Sequence, residues 1–309
     1  MIKTSSKIFF RFIGKLLLVL FIIYIFDFGI GKVLKVFYLR LEDGLYGQIT
    51  YCIESTSADV LILGSSRANH SYVPEVFEEG SYTCYNAGRD GSFVLYNYAL
   101  FKAVITRYTP KKIIIDISPD ELSYSAAEYE RLSLLLPYYQ SHPEIRDIID
   151  LRGPLERVKH ISSVYFYNSL VFQVVRGTLP NGKVKVQDMK GYQPLQKKMK
   201  YDKIDTVKID PGNTDENKIS ALKDIISTCH KKNIDLVFVY SPIWKITKDG
   251  YCNQIITKLC TENGIKYIDM SNLPDFINRP DYFADISHLN EEGARVFSKM
   301  LKNKLMQVN

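Results

Sequence analysis

DVLILGSSRA, residues 59–68, is the stretch on which the fold turns. Val60 to Leu63 run without a polar break into Gly64-Ser65-Ser66, the pattern of a strand covered on both faces that ends in a sharp turn. Runs of the same kind recur as YTCYN (82–86), KIIIDIS (112–118), IDLVFVY (234–240) and IKYID (265–269). Helical patterns lie near 92–107, 216–232, 251–263 and 291–305. Strand and helix in alternation predict a three-layer, doubly wound parallel α/β sheet. Ligands bind such sheets at the carboxyl ends of their strands, which is where Ser66 would stand.

Two features interrupt the alternation. A long insertion at about 122–215 separates the third strand from the fourth; it is first helical and rich in Leu and Tyr, then basic and loop-like around NGKVKVQDMKGYQPLQKKMK (181–200). Segments of this length tend to shape binding sites. At the other end of the sheet the last helix has a legible start: Asn290 is its cap, Glu291 and Glu292 suit the positive end of the dipole, and Ala294, Phe297, Leu301 and Leu305 recur at helical spacing.

Upstream of the sheet, LLLVLFIIYIFDFGI (16–30) is apolar except for Asp27, and Ile8 to Ile13 extend it if Arg11 and Lys15 snorkel. The chain's net charge of +6 sits here: Lys3, Lys7, Arg11, Lys15, Lys32, Lys35 and Arg40 are opposed only by Asp27, and the remaining residues balance. No basic stripe is left for nucleic acid. The segment reads as an uncleaved, single-pass anchor; a cleaved signal peptide is the rival, but no A-x-A-like site follows. Basic residues, four before and three after, place the amino end inside and the bulk of the chain outside. The expected division is therefore 1–57 as anchor and juxtamembrane stalk, and 58–309 as the catalytic domain.

Cys52, Cys84, Cys229, Cys252 and Cys260 form no CxxC pair and have no His-rich spacing, so no metal site and no disulfide framework is signalled. The chemistry lies elsewhere. Gly64 allows a tight turn that lets Ser66 present both its hydroxyl and its backbone N–H. YFADISHLNEEGA (282–294) holds Asp285 and His288 three apart on a turn, a spacing that lets the carboxylate orient the imidazole while the other ring nitrogen takes a serine proton. YNAGRDGS (85–92) follows the second strand with Gly88 and Gly91, either an oxyanion-binding turn or a plain glycine turn before a helix.

LGSSRA, YNAGRDG and DISHLN, in that order, resemble blocks I, II and V of the SGNH/GDSL hydrolase superfamily, a likeness that covers most of residues 59–305. It implies a flavodoxin-like sheet, Ser66 as nucleophile, and Asp285 and His288 completing the triad. The oxyanion donors it implies are the N–H groups of Ser66 and Gly91, with Gly88 behind Gly91. Ser65 stands where the usual GDS has aspartate, a variation that also occurs in the membrane-anchored envelope branch. The family's block III, G-x-N-D, is replaced by DISPDEL (116–122). Asp120 falls near the missing Asn, and a carboxylate repels an oxyanion. Arg67 and Asn69 are the candidates for the missing donor and for substrate contacts.

With its N-terminal span the chain is similar to bacterial proteins that acylate or deacylate envelope polysaccharides, some of which work with a membrane-bound O-acyltransferase partner. The expected activity is that of a serine esterase or O-acyltransferase, acting without cofactor on acyl, foremost acetyl, esters of cell-envelope glycan. The catalytic domain is expected on the periplasmic or extracellular side of the cytoplasmic (inner) membrane. A catalytically weak scaffold that binds glycan or assembles a polysaccharide-modification complex is the alternative, and a soluble lipase, disfavoured by the anchor, the third.

Overall fold

Short apolar strands with no exposed face can be satisfied only by neighbours in a sheet and by helices above and below. The computed structural model, which describes residues 2–78, 82–168, 170–177, 188–200, 204, 206–208, 214–248 and 251–306, arranges them so. Five strands, β1 (Val60–Leu63), β2 (Cys84–Asn86), β3 (Lys112–Asp116), β4 (Asp235–Tyr240) and β5 (Lys266–Asp269), pair in the order β2-β1-β3-β4-β5. All four pairings are parallel. This is a doubly wound order, and its switch point lies between β1 and β3, where the chain leaves β2 and crosses to the other side. A parallel pair, Thr206–Lys208 with Ile246–Lys248, stands outside the sheet.

Alternate residues of the strands face opposite layers. Val60, Ile62, Ile114, Val237, Val239 and Ile268 join one core with Tyr72, Phe276, Phe297 and Leu301. On the other side Ile115 lines one small cavity together with Val94 on helix Val94–Arg107 and Leu222 and Ile225 on helix Glu216–Lys232. The four helices expected to cover the sheet are present as Val94–Arg107, Glu216–Lys232, Tyr251–Glu262 and Glu291–Met306. Asp215 caps the second of these by accepting from the Asn217 N–H at 3.0 Å, and Asn290 caps the fourth by accepting from the Gly293 N–H at 3.0 Å. Cys52, Cys84, Cys229 and Cys260 are buried, unbridged thiols, the first pushed up to about 12 by burial; the Cys252 side chain lies outside the described residues.

The chain divides into two compact units, Met1–Leu41 with Leu134–Gly182, and Glu42–Ser133 with Lys183–Asn309. The second holds the sheet. It also holds residues expected as a stalk: Gly44–Glu54 is a helix with Gln48, Ile49, Cys52 and Ile53 buried, packed against Val94–Arg107. Arg107 closes its carboxyl end, donating to the carbonyls of Ile53 at 3.0 Å and Cys52 at 3.3 Å. The stretch folds because its apolar residues share one stripe and its terminal carbonyls find a cationic donor.

In the first unit, helix Ile2–Leu39 contains one segment, Lys7–Leu39, that is long and apolar enough to span a membrane, with a mean hydropathy of 2.4 in its most apolar window. Every residue from Gly14 to Phe26 is exposed, and beyond them Asp27, Gly31, Leu34 and Tyr38 are covered, one stripe at helical spacing. Tyr38 packs edge-on against Tyr138 and tilted against Tyr167, from the helical first half of the insertion. Residues 178–187 of its basic second half lie outside the described residues.

Candidate active site

The turn after β1 is set by crowding. Gly64 has φ +154, and a Cβ there would lie 2.7 Å from the Ala68 Cβ and 3.0 Å from Asp116, so only glycine lets the chain pass. Asn97 accepts from the Gly64 N–H at 3.2 Å and pins the turn. Ser66 then opens the short helix Ser66–Ser71. Among residues 60–74 it alone is not buried.

The second half of the site comes from 222 positions further on. Phe283 and Leu289 pair as an antiparallel bridge, Ala284 N–H donates to the His288 carbonyl at 2.9 Å, and Trp244 N–H donates to the Ile286 carbonyl at 3.0 Å. The loop so closed presents Asp285, whose Oδ1 accepts from the N–H groups of Ser287 at 2.8 Å and His288 at 3.1 Å. The His288 ring places Nδ1 2.9 Å from both Asp285 oxygens and Nε2 2.7 Å from Ser66 Oγ. Burial pushes the Asp285 carboxyl up, but the bond from His288 and the backbone donors outweigh it and hold it below the usual range. An ionised Asp285 selects the tautomer with a proton on Nδ1, leaving the Nε2 lone pair for the Ser66 hydroxyl.

The expected oxyanion donors divide. Gly88 N–H already donates to Asn86 Oδ1 at 2.9 Å, and a Cβ at Gly88 would lie 2.4 Å from the Asn69 nitrogen, so this glycine serves close packing of the turn on helix Ser66–Ser71. Gly91, at φ +66, is the other glycine of the turn. Arg67 and Asn69, expected as substrate contacts, are both buried and engaged elsewhere. Arg67 donates to Glu121 at 3.1 Å, lies 3.9 Å from Asp116 and stacks over Tyr240. Asn69 donates to Asp90 Oδ1 at 2.8 Å. Their polar groups are thus spent on protein partners, because a buried amide or guanidinium left unpaired is costly. Asp120, near the missing block III Asn, is exposed, whereas its neighbour Glu121 is buried in a capping box with Ser118.

Two residues beside the triad went unread in the sequence. His70 packs edge-on against His288, with ring centroids 5.5 Å apart. Its Nδ1 lies 2.7 Å from the Gln193 carbonyl and its Nε2 3.1 Å from Asp90 Oδ1, so both nitrogens face acceptors and the imidazolium is favoured. Burial works against that charge, but Asp90 and Gln193 outweigh it and raise the His70 pKa, while Asp90, bonded by His70 and Asn69 against its own desolvation, falls to about 2. The signal was available: in SRANH (66–70), Ser66 and His70 stand four apart on one helical face. Among the described residues no group of three His, Cys, Asp or Glu side chains is placed to hold a metal ion. Compared with models of protein families and with curated proteins, the chain matches none.

Proposed function

We propose that this chain is a membrane-anchored SGNH-type serine esterase or O-acyltransferase acting on acyl esters of cell-envelope polysaccharide. The observation that carries the reading is the relay Asp285–His288–Ser66, with 2.9 Å and 2.7 Å contacts, ending on the one solvent-reaching residue of the β1 turn. The strand order, flavodoxin-like, and the position of Ser66 at the sheet's switch point support the family resemblance.

In this mechanism the Ser66 hydroxyl proton moves to His288 Nε2 as Oγ bonds to the acyl carbon. The ester C–O bond breaks, and the departing alcohol takes the proton from His288, leaving an acyl-enzyme. Water or a sugar hydroxyl then gives its proton to His288 and attacks the acyl carbon; the bond from that carbon to Ser66 Oγ breaks, and Oγ takes the proton back from His288. The N–H groups of Ser66 and Gly91 are the donors assigned to the oxyanion. The side of the membrane, outside, rests on the basic residues that flank the anchor, and a membrane-bound O-acyltransferase as acyl donor on the resemblance.

A fluorophosphonate probe tests the reading. The full chain in detergent should label covalently, Ser66→Ala should not label, and Asp285→Asn should slow labelling and turnover on the order of 10³–10⁴-fold through the wrong tautomer. The absence of a block III amide, with Asn69 already committed to Asp90, favours as second reading a glycan-binding scaffold of weak activity. Equal labelling of wild type and Ser66→Ala, or none of either, decides for it.

A further inference from the structure

Residues 151–165 of the first unit are built inside out. Glu156 is buried at 2% exposure, bonded by Arg152 at 2.7 Å, Lys159 at 2.8 Å and Tyr165 at 3.0 Å, and His160 is enclosed by the rings of Tyr139 and Phe166. Leu155, Val158 and Ile161, by contrast, are 61–68% exposed. The bonds from Val158 N–H to the Leu155 carbonyl and from Ile161 N–H to the Val158 carbonyl stack these three at three-residue spacing, on one edge of the chain. Phe172, on helix Val171–Gly177, is 73% exposed. Water favours the reverse arrangement, since each large apolar side chain left outside forgoes the free energy of its burial. A polar network inside and an apolar edge outside is the pattern of a surface that meets hydrocarbon.

The anchor shows where that surface stands. Asp27 accepts from Ser162 Oγ at 2.6 Å and from the N–H groups of Ser163 at 2.5 Å and Val164 at 3.4 Å. Gly31 lies so close to Ser163 that a Cβ would fall 2.5 Å from the Ser163 Cβ. The apolar edge is thus fastened directly to the helix. Ahead of Asp27, Lys7 to Phe26 has no cover beyond partial burial at Ile13. About twenty helical residues rise about 30 Å, the thickness of the hydrocarbon core. With Lys7–Leu39 read as a span, that length puts the turn 162–164 at the edge of the hydrocarbon, where the Asp27 carboxylate is bonded by three donors rather than left bare.

We propose that residues 151–168 and 170–175 form a membrane collar whose edge Leu155, Val158, Ile161 and Phe172 dips into the lipid bilayer beside the anchor. The inference rests on reading Lys7–Leu39 as a span and is independent of the chemistry at Ser66. The collar fixes the first unit at the membrane surface, so the anchor acts as a post with a foot and not as a tether.

The test uses the full chain with Cys252→Ser, the other described cysteines being buried, and one added cysteine at a time labelled with nitrobenzoxadiazole maleimide. Leu20→Cys marks the span, Ile161→Cys and Phe172→Cys the collar, and Lys258→Cys, whose side chain is 75% exposed on helix Tyr251–Glu262, the water phase. The proteins are placed in phosphatidylethanolamine/phosphatidylglycerol vesicles carrying a lipid with a nitroxide on its acyl chain. Labels at 161 and 172 should be quenched by the lipid nitroxide several-fold more than the label at 258, and shielded from iodide. Quenching at 20 but not at 161 and 172, with iodide access, overturns the collar. Shielding from both quenchers there shows a protein covering and overturns it equally. No quenching at 20 removes the span itself. Fluorophosphonate labelling of the same vesicles reports on Ser66 separately.

Discussion

Ser65 and Ser66 are neighbours of the same type, and their environments assign them different work. Ser65 is buried at 4% exposure as the cap of helix Ser66–Ser71, while Ser66, one residue on, reaches solvent and the His288 ring. A serine at the end of a buried strand and an Asp-x-x-His turn before the last helix pointed to Ser66, Asp285 and His288 together, and the fold joins them by contacts of 2.7 Å and 2.9 Å. Arg67 and Asn69 were harder to read: in sequence, a polar residue beside Ser66 that faces substrate is indistinguishable from one that pairs with a protein carboxylate, as both do here. His70 carries a prediction at this scale. Its raised pKa means the folded state favours the imidazolium, so its contribution is complete below the ordinary value of about 6.5 and is lost as pH rises through the folded pKa. Asp90, held low, loses its part only as pH falls below the ordinary carboxylate value of about 3.9. Urea melts of wild type and His70→Gln in detergent should therefore differ most on the acid side of about pH 6.5, and the gap should shrink as pH rises past the folded pKa. A gap that does not change across that range would mean a neutral ring.

At the scale of elements, the β-strands announced themselves because VLIL, KIIID and DLVFVY bury nearly every residue, which leaves no other reading of so short an apolar run. Helix Gly44–Glu54 did not, since its eleven residues lack a side-chain cap and follow a charged stretch that looks like a linker. What joins elements was least legible: Arg67, leaving β1, reaches Asp116 at the end of β3 and Glu121 beyond it. Burial drives the Glu121 carboxyl up to about 8, against the pull of Arg67, so near neutral pH it is largely protonated. Asp116 is also raised by burial, opposed first by Arg67 and then by Ser241. The two ends of this cluster therefore respond differently to substitution. Glu121→Gln resembles the protonated acid, keeps an acceptor for Arg67 and Ser118, and should cost about 1 kcal/mol or less. Arg67→Ala strips the cation from two buried acids and should cost about 3–5 kcal/mol, read from chemical unfolding. Equal costs would show that Glu121 is ionised in the fold.

At the scale of the whole chain, the sequence suggests a cut near residue 57, where the first strand is about to begin, but the folded chain divides at Leu41 and twice more within the insertion, after Ser133 and after Gly182. Periodicity marks where elements lie and is silent on which of them share a core. Helix Gly44–Glu54 belongs to the sheet unit by its buried Ile49, Cys52 and Ile53, and by Gln48, whose side chain donates at 2.9 Å to the carbonyls of both Gly88 and Gly191. Gly88 is in the turn that packs on helix Ser66–Ser71, so the amide of Gln48 supports the floor of the site. Burying Ile49 and Ile53 contributes roughly 1.5–3 kcal/mol each, and the two carbonyls left by Gln48 add a further cost of about 1–3 kcal/mol apiece. Together these approach the whole stability of a domain, about 5–15 kcal/mol. A chain beginning at Glu42 should therefore unfold cooperatively in urea and label at Ser66, whereas one beginning at Asp59 should aggregate or melt far lower and lose labelling with it. Circular dichroism melts and fluorophosphonate labelling of the two, purified side by side in mild detergent, make the comparison. If the shorter chain melts and labels like the longer one, Gly44–Glu54 is a stalk after all, and the site stands without it.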